Sequence, residues 1–574
     1  MYVLPIPRRM TVSEERIRPG TPALKTDDPQ IALFAGELDK NGDFPVSFTA
    51  CGCGEPEKYK LTLGAGGADI RYGDIEGAFR AFTTLKQILA QADENGCVNA
   101  CEIEDQPSFL RRGYSLDISR GKIPKLESLK KLVDRMAAVK YNELQLYLDS
   151  FAVAYKNFPE YTADTQPLTL DEIKQLAEYC KERFVHLVPN QNTFGHMHAW
   201  TAKPEIAPLA ITGKDGKPSG TLNPLDPRSV AFVDKMLDGY VQLFDSDRCN
   251  IGMDETVELG MNETKEECDA KGVGAVYTEY LGKICDLVTN KYGMAPMFWD
   301  DIIFKHPEQL DNVPKNAIVM QWGYETEHHY DRNCRRISES GRRFYVCPGT
   351  SMWGSITGRS NNALVNITSA AENGAYYGAE GFLLTEWGDD GHPQFPATAE
   401  FPFTLGAAVS WNCMSHDHEI AYDERKKLVR VVKEYLNDFV YNAKGTNFSD
   451  LVYRMGNFYL LEKELLFNGT RLWDILHRPE RAEADDPYYY RRVRDYMQAL
   501  RDELAQIDAD PAAKRRILLN CDTVVVLSRV ASEGKNADIS RELDRVIEEY
   551  KSLWLEENHE KGVEIFVRFL DSMK

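Results

Sequence analysis

The chain has 574 residues, 43% of them hydrophobic and 27% charged, with 89 acidic against 68 basic side chains and a formal net charge of −21. Such a length suggests roughly two to four domains, with apolar content for large cores. The acidic balance excludes nonspecific attraction to nucleic acid or an anionic membrane, though not a neutral ligand such as a sugar. No apolar run is long enough to cross a bilayer. The opening MYVLPIPRRMTVSEERIRPG carries its arginines after a short, proline-broken apolar patch, unlike a signal peptide, so a cytoplasmic protein is expected. Cys51 and Cys53 form a C-x-C and Cys97 and Cys101 a C-x-x-x-C, but neither is joined by a second pair at zinc spacing. Reduced thiols and no metal or cofactor are expected.

Residues 1–107 alternate strand-like runs (QIALFAG, FPVSFTA, EKYKLTLG) with turn residues, and GAFRAFTTLKQILAQAD follows at helical spacing. A small α/β domain is expected there. From 108 to 420, eight short apolar runs recur: GYSLDIS, ELQLYL, FVHLVP, CNIGM, APMFW, AIVMQW, RRFYVCP and EGFLLTEW. Amphipathic helices such as KLESLKKLVDRMAAVK and LDEIKQLAEYCKERF lie between several of them. Eight strands alternating with helices predict a (β/α)₈ TIM barrel, an α/β fold. Residues 421–574, including LVYRMGNFYLLEKELLF, are helical and amphipathic. They predict a C-terminal helical domain that packs on the barrel and takes no part in the chemistry.

Chemistry in such barrels lies at the C-terminal strand ends. The first strand begins at Arg112 and carries Asp117, and the second ends in Asp149. His196 and His198 follow the third, and the fourth delivers Asp254 and Glu255. Trp299, Asp300 and Asp301 follow the fifth. The sixth, seventh and eighth lead to Trp322, Trp353 and the group Trp387, Asp389 and Asp390. One tryptophan at a strand end is usually packing; four at one barrel mouth suggest sugar faces, with carboxylates for the hydroxyls. Asp117 reads as a buried partner of Arg120 or of a backbone amide. Asp300 and Asp301, and the Asp254–Glu255 pair, could simply cap helices. A metal-assisted hydrolase using His196, His198 and Asp300 or Asp301 is a weaker alternative.

IGMDE (251–255), RGYSLDISRGKIPKLESLKKLVDRMAAVKYNELQLYLDS (112–150) and FGHMHAW (194–200) together resemble the family 20 glycoside hydrolases, the β-N-acetylhexosaminidases. The chain looks most like a compact bacterial branch with a helical C-terminal domain. The resemblance implies an exo-acting hydrolase of terminal β-linked GlcNAc or GalNAc. Its nucleophile would be the substrate's own 2-acetamido oxygen, with an oxazolinium intermediate and retention. Glu255 is then the proton carrier and Asp254 the clamp on the acetamido N–H, and Asp254 should raise the pKa of Glu255. By matched position Arg112 grips ring hydroxyls, and Asp149 and His196 form a polar pair that tunes the acid. Trp299, Trp322 and Trp387 wall the sugar, and Asp389 holds outer hydroxyls. Met253 stands where glycine is commoner, and the usual Y-x-D of the seventh strand is absent, leaving Tyr324 or Trp353 in place of its tyrosine. The implied partner is a small carbohydrate or glycoconjugate, without nucleic acid, membrane, cofactor or metal, and a homodimer is the assembly in view. A sugar-binding protein on the same barrel with impaired catalysis is the alternative.

Overall fold

The computed structural model describes residues 1–574 apart from 27, 37, 40, 53, 163–164 and 482–485, and the side chains of 418–419. Cys53 of the C-x-C pair therefore lies outside the described residues. The described residues first form a six-stranded sheet: β1 (Arg9–Ile17), β2 (Pro22–Lys25), β3 (Phe44–Ala50), β4 (Tyr59–Gly64), β5 (Gly67–Tyr72) and β6 (Val98–Asp105), in the order β1-β6-β4-β5-β3-β2. Helix Ile75–Leu89 packs its apolar side on this sheet. QIALFAG, expected as a strand, is the helix Pro29–Ala35. Asp28 accepts from the Gln30 amide and Pro29 fills the first turn, a start signal that overrides a short apolar run.

The barrel consists of β7 (Arg111–Asp117), β8 (Glu143–Tyr147), β9 (His186–Val188), β12 (Arg248–Asn250), β13 (Ala295–Trp299), β14 (Ile318–Trp322), β15 (Arg343–Cys347) and β16 (Gly381–Glu386). All eight strands are parallel, in the order β12-β13-β14-β15-β16-β7-β8-β9. They coincide with the eight apolar runs, as parallel strands buried on both faces should. The ring closes between β9 and β12, where Asn190 bridges Asn250, Gln191 N donates to Asn250 O at 2.9 Å and Asn250 N to Pro189 O at 2.8 Å. A hairpin of β10 (Ala210–Thr212) and β11 (Pro218–Leu222) intervenes after β9. The barrel interior is a column containing Val188, Met297, Ile318, Met320, Tyr345 and Leu383; Trp299 belongs to it, and Trp322 and Trp387 pack against it. Tryptophans at the strand ends thus finish the core and floor the mouth with the same rings.

The C-terminal helices include His418–Tyr435, Phe448–Met455, Arg471–His477, Pro487–Gln506, Pro511–Glu533, Ala537–Glu557 and Val563–Ser572. LVYRMGNFYLLEKELLF, expected as one helix, stops at Met455 and, after a single turn at Phe458–Leu461, runs as a loop to Thr470. Bonds to the barrel replace helical ones there: Ser360 N donates to Gly456 O at 3.0 Å and Asn361 N to Asn457 Oδ1 at 2.9 Å.

Arg112, expected at the sugar site, lies at the opposite end of the barrel. It is the second residue of β7, fully buried, and its Nη2 donates to Glu57 Oε2 at 2.6 Å. Its Nε and Nη1 donate to the Lys140 and Phe109 carbonyls, and Arg80 Nε donates to the same Glu57 oxygen at 2.7 Å. Strand polarity decides the matter. In a parallel barrel the first residues of a strand face the mouth away from the chemistry. Arg112 instead fastens the N-terminal domain to the barrel. Burial would raise the Glu57 pKa, but the charges of Arg112 and Arg80 outweigh it and hold the carboxyl down at about 2. Removing one partner of such a buried cluster costs about 3–5 kcal/mol, so Arg112→Met should lower the thermal midpoint clearly. The folded-state pKa is depressed from 4.5, so this stabilisation is present above that value and fades as pH falls toward about 2. The midpoints of wild type and variant should converge over that acid range in calorimetry.

Candidate active site at the C-terminal mouth of the barrel

A cavity of about 1040 Å³ opens at the C-terminal strand ends. Its lining brings together Asp254, Glu255, His196, Trp299, Trp322, Trp353, Trp387 and Asp389 from the sequence-derived set, with Asp300, Asp301 and Tyr324. Asp149 stands behind this wall, and Arg112 is far from it. His198 lines a separate cleft with Asp215 and Glu258, so the ligand set of a metal-assisted hydrolase is not assembled. Among the described residues no group of three or more His, Cys, Asp and Glu side chains is arranged to hold a metal ion.

The acid pair sits on a sharply turned segment just beyond β12. Met253 has φ 79° and Glu255 φ 50°, and His196 beside them has φ 55°. Left-handed backbone at non-glycine residues costs on the order of 1 kcal/mol or more each and persists only where packing imposes it. Met253 meets that cost where glycine would not, and its side chain is completely buried with Thr193 Oγ1 3.4 Å from its sulfur. Gly195 and Gly252 permit the close approach of the two loops. A Cβ on Gly195 would lie 2.0 Å from the Asp254 carbonyl oxygen, and one on Gly252 1.4 Å from Asn192 Oδ1.

The two carboxylates turn to different surroundings. The Asp254 side chain is 12% exposed and that of Glu255 52%. His196 Nε2 lies 3.3 Å from Asp254 Oδ2 and 3.3 Å from Glu255 Oε2. Asp254 Oδ1 is buried with no hydrogen-bond partner among the described residues. Burial alone would lower the His196 pKa, but the Asp254 charge and hydrogen bonds to both acids push it up to about 11. The hydrogen bond from His196 in turn lowers the Glu255 pKa, against burial. This reverses the expectation that Asp254 would raise it: an imidazolium lies between the acids and screens one from the other.

Behind this group, Arg120 Nη1 donates to Asp149 Oδ2 and its Nε lies 3.7 Å from Asp117 Oδ2. Asp117 also accepts from the Ser119 and Gly388 amides, the structural role the sequence suggested. Arg120 lines the cavity beside the acid pair, with Arg332 and Arg359 elsewhere in the lining, whereas Arg112 does not reach it. The sequence did hold the signal: Arg120 follows the C-terminal end of β7, whereas Arg112 precedes it. Asp301 Oδ2 accepts from Glu255 N at 3.3 Å, and burial with the Asp254 charge pushes Asp301 up to about 7. Asp300 makes no side-chain cap bond, and burial raises its pKa well above the ordinary value. Asp389, φ 43°, sits at the rim, where partial desolvation and the Asp117 charge push it up to about 7.

The remaining wall joins expected rings to a loop that was not expected. Trp387 Nε1 donates to Tyr324 OH at 2.8 Å, and Tyr324 stacks on Trp322 with centroids 5.0 Å apart. Trp353 Nε1 donates to Asn468 Oδ1 at 2.8 Å, and Leu465, Leu466, Phe467 and Asn468 all line the cavity. The C-terminal helical region therefore takes part in the site. No local pattern marks this loop, because its place is set by bonds to the barrel.

The model of the glycosyl hydrolase family 20 catalytic domain matches residues 109–378, and that of domain 2 of the same family matches residues 28–106. β-Hexosaminidase subunit alpha of Bos taurus is 26% identical over 312 residues, which cover 50% of this chain and 57% of that protein. The chain thus spans little more than half the length of such curated relatives. Among solved structures, the chitobiase of Flavobacterium johnsoniae superposes with a TM-score of 0.62 at 18% identity, over 99% of both chains. The β-N-acetylhexosaminidase of Bacteroides fragilis NCTC 9343 gives 0.60 at 16% identity, over 76% of this chain and 95% of that one. At these identities the structural likeness is one of fold. With both family domains matched in order along the chain, this protein belongs to glycosyl hydrolase family 20.

Proposed function

We propose that this protein is an exo-acting β-N-acetylhexosaminidase that removes terminal non-reducing β-linked GlcNAc or GalNAc with retention, the substrate's 2-acetamido group serving as nucleophile. One observation carries this reading. Asp254 and Glu255 share one imidazole nitrogen at 3.3 Å yet differ in setting: the Glu255 side chain is 52% exposed, that of Asp254 12%, and Asp254 Oδ1 is buried with no hydrogen-bond partner among the described residues. That leaves one acid open for proton transfer and one enclosed for an amide, the division of labour of family 20, an exception among retaining enzymes that borrows its nucleophile from the substrate.

In this scheme the acetamido oxygen attacks the anomeric carbon as the bond to the leaving oxygen breaks. Glu255, the more exposed acid, gives its proton to that oxygen. The buried, unpartnered Asp254 Oδ1 is suited to accept the acetamido N–H and offset the positive charge of the oxazolinium. Water then opens the ring, and Glu255 recovers a proton from it. Tyr324 OH accepts from Trp387 and still has its own proton to give, so it takes the place of the absent Y-x-D tyrosine at the acetamido carbonyl. Arg120, held by Asp149, takes the hydroxyl-gripping role expected of Arg112. Trp299, Trp322, Trp353 and Trp387 supply apolar faces, and Asp389 the outer hydroxyl contacts.

In the free enzyme Glu255 shares the His196 proton, and this store recharges the acid as sugar replaces water. The His196 pKa is raised to about 11, so the proton is retained through neutral pH. In His196→Asn only Glu255 remains to hold it, and the alkaline limb of kcat/KM should move to lower pH. An unchanged limb would assign the proton elsewhere. Glu255→Gln should reduce turnover of poor-leaving-group substrates by several orders of magnitude. Asp254→Asn should cost at least about a hundredfold in kcat, typical of losing one preorganised electrostatic group. Comparing p-nitrophenyl β-N-acetylglucosaminide with the 2-hydroxy β-glucoside tests the internal nucleophile, since the glucoside should react far more slowly. Equal rates would remove it from the mechanism.

A further inference from the structure

The cavity has an inner and an outer part. Trp299 and Trp353 are each 1% exposed, whereas Phe467 is 85% exposed and Leu465 58%, although both line the same cavity. An aromatic ring left so open at the edge of a polar site has no packing role to explain it.

The backbone that follows Phe467 is also held in place. The next residue, Asn468, has φ 56°, its amide donates to Glu325 Oε1 at 2.7 Å, and its side chain accepts from Trp353 Nε1. Arg359 fixes Glu325 through two bonds of 2.9 Å, and Thr470 N donates to Gly354 O at 2.8 Å. The loop is thus tied to the barrel mouth at Asn468 and Thr470, directly after Phe467, and the phenyl ring projects next to this held backbone. A solvent-facing ring on a held backbone suits the apolar face of a ligand that arrives from outside, because the loop that carries it need not be ordered on contact.

The position of Glu255 says which part of the ligand this is. A proton donor must touch the bond that breaks, so the glycon lies on its enclosed side and the leaving group on its open side. Glu255 is the half-exposed acid, and the exposed part of the lining beyond the enclosed tryptophans includes Phe467 and Leu465.

We infer that Phe467, presented by the C-terminal helical region, is a platform for the leaving group and makes the enzyme favour substrates whose leaving group is a second pyranose ring. The inference rests on the hydrolase reading above and adds a specificity residue to it. Phe467 touches only the departing sugar, so its removal weakens substrate capture and leaves bond cleavage in the enclosed site alone.

The test compares two substrates in the full-length enzyme: the β-1,4-linked disaccharide of GlcNAc, and methyl β-N-acetylglucosaminide, which lacks the second ring. Phe467→Ala should lower kcat/KM for the disaccharide about five- to tenfold, chiefly through KM, as expected for one lost aromatic stacking contact. The methyl glycoside should change less than about twofold, and competitive inhibition by free GlcNAc should be unaltered. Phe467→Tyr should restore the disaccharide value. Equal losses on both substrates, or no loss on the disaccharide, overturn the platform while leaving the hydrolase reading in place. A wild type that cleaves neither substrate overturns both.

Discussion

Closure of the barrel between β9 and β12 is the constraint on which the site depends. Both strands are three residues long, too short to hold the seam by ladder bonds alone. Side chains complete it: Asn190 and Asn250 each donate to Gln145 Oε1 at 3.0 Å, and Thr193 Oγ1 donates to Ile251 O at 2.7 Å. The loops leaving these strands are forced against one another, which is why Gly195 and Gly252 have no room for a Cβ and why Met253 and Glu255 take left-handed backbone. His196 comes from one loop and the acids from the other. Their meeting at 3.3 Å follows from the seam.

That meeting changes the electrostatics that two neighbouring acids would otherwise have. Side by side in a cleft, they should repel and one should hold its proton. With an imidazolium bridging them, the proton resides mainly on nitrogen and Glu255 is the stronger acid for it. The separation of roles then comes from exposure: the Asp254 carboxylate is largely buried and that of Glu255 is half exposed. Asp301 and Asp389, both drawn up to about 7, limit how much negative charge the mouth carries near neutrality.

The two flanking regions are joined to the barrel by different physics. On the side away from the site, a buried cluster of Glu57, Arg80 and Arg112 locks the N-terminal sheet to the base of β7, with Arg112 over the Trp411 ring at 4.8 Å. At the mouth, hydrogen bonds from a loop of the helical region to Trp353 and Glu325 place side chains in the cavity itself. The first junction bears on stability and the second on what the site meets.

Periodicity and apolar content alone determined the eight strands, the long C-terminal helices and the order of the three regions, because buried parallel strands and amphipathic helices leave local signatures. Position at a strand's C-terminal end likewise singled out Asp254, Glu255, His196 and the four tryptophans, since a parallel barrel sends those ends to one mouth. The same rule separates Arg112, at the start of β7, from Arg120, beyond its end, and of the two only Arg120 reaches the mouth. Only the tertiary structure decided that QIALFAG is a capped helix, that the chain after Met455 leaves its helix to bond the barrel, and that His196 lowers the pKa of Glu255. Each of these depends on a group distant in sequence or on a cap competing with a short apolar run, and neither the distance between two side chains nor the water they exclude is written in local residue order.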